Sequence, residues 1–191
     1  MGKLQFQGKT DPNILKEAFE GYHVDETDIR ERMDKFKKVY FGILEKNIET
    51  AEVEVLPGIV KILENLKNRK DILTGLLTGN FRDGARIKLE KHRLNEYFTF
   101  GAFGDDAGTR NELPEVARER ISEAHAVDMD FSSIYIIGDT IHDIGCAKHS
   151  GSVSVAVGTG WSDLDELKSH EPDYYFDNLE NYNEFISILE D

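Results

Sequence analysis

The sequence predicts an α/β fold, a Rossmann-like parallel sheet flanked by helices and carrying a small helical cap. Two observations predict it. From Leu56 onward, short apolar runs alternate with segments whose apolar residues recur at helical spacing, the signature of strands joined by crossover helices. Before Leu56 only helical patterns occur, so that stretch needs a surface to cover.

The elements follow in order. Asp11 and Pro12 read as an N-cap and first-turn pair, and Ile14, Leu15, Ala18 and Phe19 form a short apolar stripe behind them. A longer helix from about Thr27 carries Ile29, Met33, Phe36, Tyr40 and Ile43 on one face and charged residues on the others. Pro57 opens a helix with Ile59, Ile62, Leu63 and Leu66 in register, and Ile72 to Leu77 reads as a strand. A helix from Asp83 to about Arg93, a strand from Phe98 to Phe103, and a helix started by Pro114 come next. Ile134 to Ile137 is apolar without alternation, which predicts a strand buried on both faces. A helix around Ile144 to His149, strands at Val153–Val157 and Tyr174–Phe176, and a last helix from Leu179 to Leu189 complete the pattern. The predicted division is 1–52 for the cap and 53–191 for the α/β core.

Composition narrows the function classes. The formal net charge of −14, from 37 acidic and 23 basic residues, argues against nucleic acid or an anionic membrane as partner, since both repel a negative surface. Cys146 is the single cysteine, so no intrachain disulfide can form, and no apolar run approaches a membrane span. The first residues lack the apolar stretch of a signal peptide, and Phe6 stands where a myristoylated Gly2 would need Ser or Thr. A cytoplasmic protein is the expectation, with oligomeric state unreadable.

Three strand ends carry chemistry. Ile136-Ile137-Gly138-Asp139-Thr140-Ile141-His142-Asp143 is an apolar strand followed by two aspartates, in the crevice where open α/β sheets bind ligands. Two carboxylates there suit a hard cation such as magnesium, which accepts one or two carboxylates plus substrate phosphate; the competing reading is that both merely turn the chain and cap the next helix. Leu76-Leu77-Thr78-Gly79-Asn80 offers a hydroxyl and a close backbone amide to a phosphate oxygen, although Thr-Gly-Asn is also an ordinary turn. Arg110 could neutralise a transferring phosphoryl group, or pair at the surface with Asp105, Asp106 or Glu112.

The order of these three signals, each separated by a helix, resembles the second, third and fourth motifs of the haloacid dehalogenase superfamily. Gly8-Lys9-Thr10-Asp11-Pro12, Phe103-Gly104-Asp105-Asp106, Arg110-Asn111-Glu112-Leu113 and Gly138-Asp139-Thr140-Ile141-His142-Asp143 are similar to its phosphoglycolate-phosphatase-like branch. The resemblance implies that Thr78, with Gly79 and Asn80, binds the phosphate, that Arg110 replaces the family's usual lysine, and that Asp139 and Asp143 hold Mg2+. Arg for Lys keeps the charge and alters the geometry. The residues before Leu56 then correspond to a cap closing over a small phosphorylated metabolite. Lys9, Thr10 and Asp11 are the cap candidates to face the pocket, with helix capping the plainer role for Asp11. His142 reads as a rim residue or a solvent-exposed loop residue, and Trp161 as a packing residue of the last loops.

The resemblance also implies a first motif, Asp-x-Asp at the end of a core strand preceding the cap, with one carboxylate attacking phosphorus and the other acting as acid and base. The cap pattern begins almost at Met1. Asp128-Met129-Asp130 precedes a strand and Asp163-Leu164-Asp165 sits at a helix start, so neither triplet can substitute. The expectation is a chain without its nucleophile, inactive and poorly folded alone, with truncation, a misassigned start and real loss all standing open. The intact protein is expected to hydrolyse a small phosphate monoester through a phospho-aspartyl intermediate; a phosphosugar mutase and a non-catalytic phosphate- and metal-binding module are the alternatives.

Overall fold

The computed structural model describes residues 8–21, 26–160 and 162–190. Gly2, Phe6 and Trp161 lie outside the described residues. The chain starts with two helices, α1 (Asp11–Glu20) and α2 (Glu26–Thr50), and then enters an α/β core. That core contains α3 (Ile59–Lys67), β1 (Gly75–Leu77), α4 (Arg82–Glu90), β2 (Phe100–Ala102), α5 (Leu113–His125), β3 (Tyr135–Gly138), α6 (Ile141–Ser150), β4 (Val153–Val157), α7 (Leu164–Ser169), β5 (Tyr174–Phe176) and α8 (Tyr182–Ser187). All strand pairs are parallel, with Leu77 opposite Ala102, Gly138 opposite Ala156, and Val157 opposite Phe176. The α/β class and the order of elements match the pattern in the sequence.

The sheet differs from expectation in one respect: it is split. β1 pairs only with β2, and β3 only with β4, which continues to β5. The facing edges of β1 and β3 enclose a cavity of about 530 Å³ lined by Leu76, Leu77, Ile134 and Ile136 among others. This accounts for two departures. β1 is hydrogen-bonded only over Gly75–Leu77 rather than from Ile72, because it has a ladder partner on one side alone. Ile137, expected to be buried on both faces, is 45% exposed because nothing packs beyond the β3 edge.

Packing is strongest in the half centred on β4. Val155 and Val157 join Ile62 and Leu66 of α3 and Phe185 and Ile186 of α8 in the largest core cluster. On its other side, Ala156 packs with Ile144 of α6 and Leu167 of α7. Each buried Leu or Ile contributes roughly 1.5–3 kcal/mol relative to exposure. The β1–β2 half is smaller, anchored by Ala102, Leu113 and Ala117. The first two helices lie against this half. Tyr40 and Phe41 of α2 pack around Phe81, whose ring is buried, and the Lys91 ammonium donates to the Ile48 carbonyl. Lys37 closes an ion pair with Asp105.

Asp106 ties the loop after β2 to α5. Its carboxylate accepts both Arg120 Nη atoms at 2.7 Å and the Phe103 amide at 2.8 Å, with Arg82 beyond. The Arg120 guanidinium leads the causes that hold this carboxyl down to about 2. A carboxyl depressed in the folded state contributes stability that is full above its unfolded pKa and disappears as pH falls through the folded value. The side chain is only 12% exposed, so the shift is worth about 2 kcal/mol. Asp106→Asn should therefore be less stable at neutral pH and should lose that share of the acid dependence between about pH 4 and pH 2, as denaturant titrations at stepped pH would measure.

Candidate active site at the strand ends

The crevice is built at the carboxyl ends of β1 and β3. A short segment of the cap shows that these ends face the same way. Gly8 packs on the His142 ring, just past β3, while Asp11 donates its backbone N–H to the Gly79 carbonyl at 2.7 Å, just past β1. Residues 8–11 thus span the mouth of the gap.

On the β3 side, Asp143 is the fixed point. It falls in the first turn of α6, which begins three residues earlier than the apolar pattern suggested, and it is 6% exposed. One carboxylate oxygen accepts the Thr140 hydroxyl at 2.7 Å and the Thr140 amide at 3.1 Å. The other meets Arg110 Nη2 in a close ion pair. A Cβ at Gly138 would overlap this carboxylate, so the glycine of the Gly-Asp pair is the residue that lets Asp143 fold back under the strand end. The helix-capping reading is therefore realised at Asp143 together with a charge partner that capping does not require.

Asp139 lies beside it, half-buried, with the backbone of Gly160 packed against its carboxylate. Burial first, and the adjacent Asp143 carboxylate second, push the Asp139 carboxyl above its ordinary value; its own backbone N–H and Arg110 oppose the shift. Two carboxylates that raise each other's cost of ionisation form a place where a cation would be stabilised. Among the described residues no three His, Cys, Asp or Glu side chains converge on one point. A pair is still enough for magnesium, which usually keeps several waters and uses substrate phosphate as a ligand.

Arg110 opens a 3-10 turn over Arg110–Glu112 and is 18% exposed. Its alternative surface partners are engaged elsewhere: Asp105 with Lys37, Asp106 with Arg120 and Arg82, and Glu112 with the Gly108 amide. Its Nε is buried without a hydrogen-bond partner. Cys146 sits beneath, donating its thiol to the Arg110 carbonyl at 3.4 Å, and burial pushes that thiol up to about 11, so it stays neutral.

Across the gap, the Thr78 hydroxyl accepts the Asn80 amide at 3.2 Å, the turn reading of Thr-Gly-Asn. The Asn80 side-chain oxygen accepts Lys88 Nζ at 2.8 Å, and its carbonyl accepts the Gly104 amide at 2.8 Å. Among the described residues the Thr78–Asn80 loop makes no hydrogen bond or ion pair to Arg110, Asp139 or Asp143. The fold thus brings the last three together and stands the Thr78 loop opposite them.

Sequence reasoning undervalued the cap contact. Thr10, not Asp11, is the N-cap of α1, and it is fully buried with its hydroxyl unpartnered. Asp11 instead accepts the Phe81 amide at 2.9 Å while donating to Gly79, so it clamps both sides of the phosphate-loop candidate. A Cβ at Gly79 would lie 2.9 Å from the Lys9 carbonyl, which is why the loop can accept this approach. His142 is neither in a loop nor fully exposed: it belongs to α6 and is half-buried against Gly8. Lys9 turns away to Glu17 at 2.6 Å.

Residues 4–157 match the haloacid dehalogenase-like hydrolase family. The chain belongs to that family. Among curated proteins it is similar to a pyrophosphatase PpaX from Oceanobacillus iheyensis, 25% identical over 88% of the chain and 73% of that protein. A phosphoglycolate phosphatase from Vibrio parahaemolyticus is 28% identical over 52% of the chain and 42% of its own length. Of solved structures, a hydrolase from Pseudomonas syringae superposes with a TM-score of 0.68 at 19% identity, covering 96% of this chain and 80% of that one. The chain therefore spans only part of the proteins it resembles, down to less than half of the phosphoglycolate phosphatase.

Breaking a buried pair from one side leaves the other charge uncompensated and costs about 3–5 kcal/mol. Arg110→Met should lower the melting temperature by on the order of 10 °C for a chain of this size. If Arg110 is the phosphate group, inorganic phosphate should raise the melting temperature of the parent protein and leave that of the variant unmoved. An equal phosphate shift in both would remove Arg110 from that role.

Proposed function

We propose that this chain supplies the phosphate- and metal-binding part of a magnesium-dependent phosphatase acting on a small, phosphoglycolate-like phosphate monoester. The single observation that carries the reading is the trio at the end of β3: Asp139 and Asp143 adjacent, with Arg110 paired to one of them. A purely structural ion pair would need one carboxylate; the second, held half-buried next to the first with its pKa raised, has a use when a cation and a phosphate arrive together.

In this reading Asp139 and Asp143 hold Mg2+, and the bound ion neutralises the charge of the phosphoryl group. Arg110 shifts between the Asp143 carboxylate and a phosphate oxygen, which accept the same planar donor set. Thr78 turns its hydroxyl from the Asn80 amide to a second phosphate oxygen, with Gly79 beside it. Asp11 and Lys88 keep that loop in place. Residues 1–52 act as a cap over the substrate and 53–191 as the core. Hydrolysis passes through a phospho-aspartyl intermediate once an Asp-x-Asp strand is present, and this chain by itself is inactive.

In a polypeptide that joins such a strand upstream of residue 1, Mg2+-dependent hydrolysis of an aryl phosphate is expected, and Asp139→Asn should abolish it. Activity indifferent to a chelator, or retained in that variant, contradicts the metal assignment. Thr78→Val in the same polypeptide should lower turnover by about 10²–10³-fold, roughly 2.7–4 kcal/mol, without changing the melting temperature. A change below about threefold would leave Thr78 as a turn residue only.

A further inference from the structure

The gap between β1 and β3 is a binding site for polypeptide. We propose that it takes one extended apolar strand from a separate polypeptide, running parallel to β1 and β3 and pairing with both. β1 and β3 each have a ladder on one side only, and their carboxyl ends lie at the same end of the gap, bridged by residues 8–11. Two edges of the same direction, facing each other, present alternating N–H and C=O groups that only another backbone can satisfy together.

The lining fits an apolar strand. The cavity of about 530 Å³ runs from Ile72 to Leu77 on one wall and from Ser133 to Ile137 on the other. Ile137, at 45% exposure in the middle of a strand, gains most from being covered. Six residues of extended chain cover about 20 Å, the length of the Ile72–Leu77 wall.

The occupant is a strand free of any other sheet. A second copy of this chain is disfavoured, because each described strand is already laddered, and entering a slot with partners on both sides would strip it from its own sheet. A free segment of suitable length is consistent with the fold comparison, in which about a fifth of the Pseudomonas syringae hydrolase has no counterpart here. The carboxyl end of such a strand emerges between Thr78 and Asp139. Acidic residues there would join the trio, a corollary that rests on the phosphatase reading.

The probe is the peptide Lys-Lys-Val-Ile-Ile-Phe-Val-Asp-Ala-Asp, compared with a version carrying Pro for the central Ile, which cannot complete the ladder, and a version with both Asp changed to Asn. Amide exchange at Leu76, Leu77, Ile136 and Ile137 should slow at least tenfold with the first and third peptides and stay fast with the Pro peptide. Slowing by all three, or by none, overturns the proposal. Slow exchange at these amides in the free chain also overturns it: in a monomer the chain closes its own gap, and in a dimer a second copy does. If the free chain is insoluble, co-expression with each peptide fused to a soluble carrier replaces the titration; only the apolar peptides should bring it into solution. Aryl phosphate hydrolysis with Mg2+ is read separately. Protection without hydrolysis by the Asp peptide keeps the strand site and sinks the phosphatase reading.

Discussion

Asp143 is the residue on which the arrangement of the crevice depends. Its carboxylate is nearly inaccessible, folded under Gly138, and divided between the Thr140 cap and the Arg110 guanidinium. Those contacts start α6, fix the 3-10 turn of Arg110, and set Asp139 beside a second negative charge. A carboxylate desolvated to this extent must be paired. Arg110 supplies the pairing here, and in the proposed reaction Mg2+ and Arg110 share it, with phosphate drawing the guanidinium away. The site is thus described by one exchange of partners around a fixed carboxylate.

The opposite wall has a different kind of support. Thr78, Gly79 and Asn80 are held by backbone hydrogen bonds from the cap and from the loop after β2, with Asp11 bonded on both sides of Gly79. The cap is consequently more than a cover: its first residues complete the turn that faces the phosphate. Lys37 and Lys91 add contacts from α2 to the same half of the core. Movement of the cap would then act directly on the Thr78 loop, whereas the Asp143 cluster is built wholly from core elements.

Much of this was legible in the sequence. Val153–Val157 and Tyr174–Phe176 were found to the residue, since both are bounded by turn chemistry and flank a continuous core. The pairing of Asp139 with Asp143 was legible because both fall in one loop. Ile72–Leu77 and Ile134–Ile137 were read as ordinary inner strands because apolar runs report burial potential and not the presence of a neighbour. The ladder partner that would bury Ile137 is a matter of topology. The Asp11–Phe81 and Arg110–Asp143 contacts were invisible for a related reason: they join positions 70 and 33 residues apart, and no local pattern marks them. Gly160 against Asp139 belongs with them.

The most direct test of the account is the location of metal and phosphate in crystals of the protein, with its strand gap filled, grown with Mn2+ and inorganic phosphate. The account predicts an anomalous Mn2+ peak between the Asp139 and Asp143 carboxylates, a phosphate in contact with Thr78 and Arg110, and an Arg110–Asp143 pair that has opened. A peak elsewhere, or an intact Arg110–Asp143 pair with phosphate absent from the crevice, would contradict it.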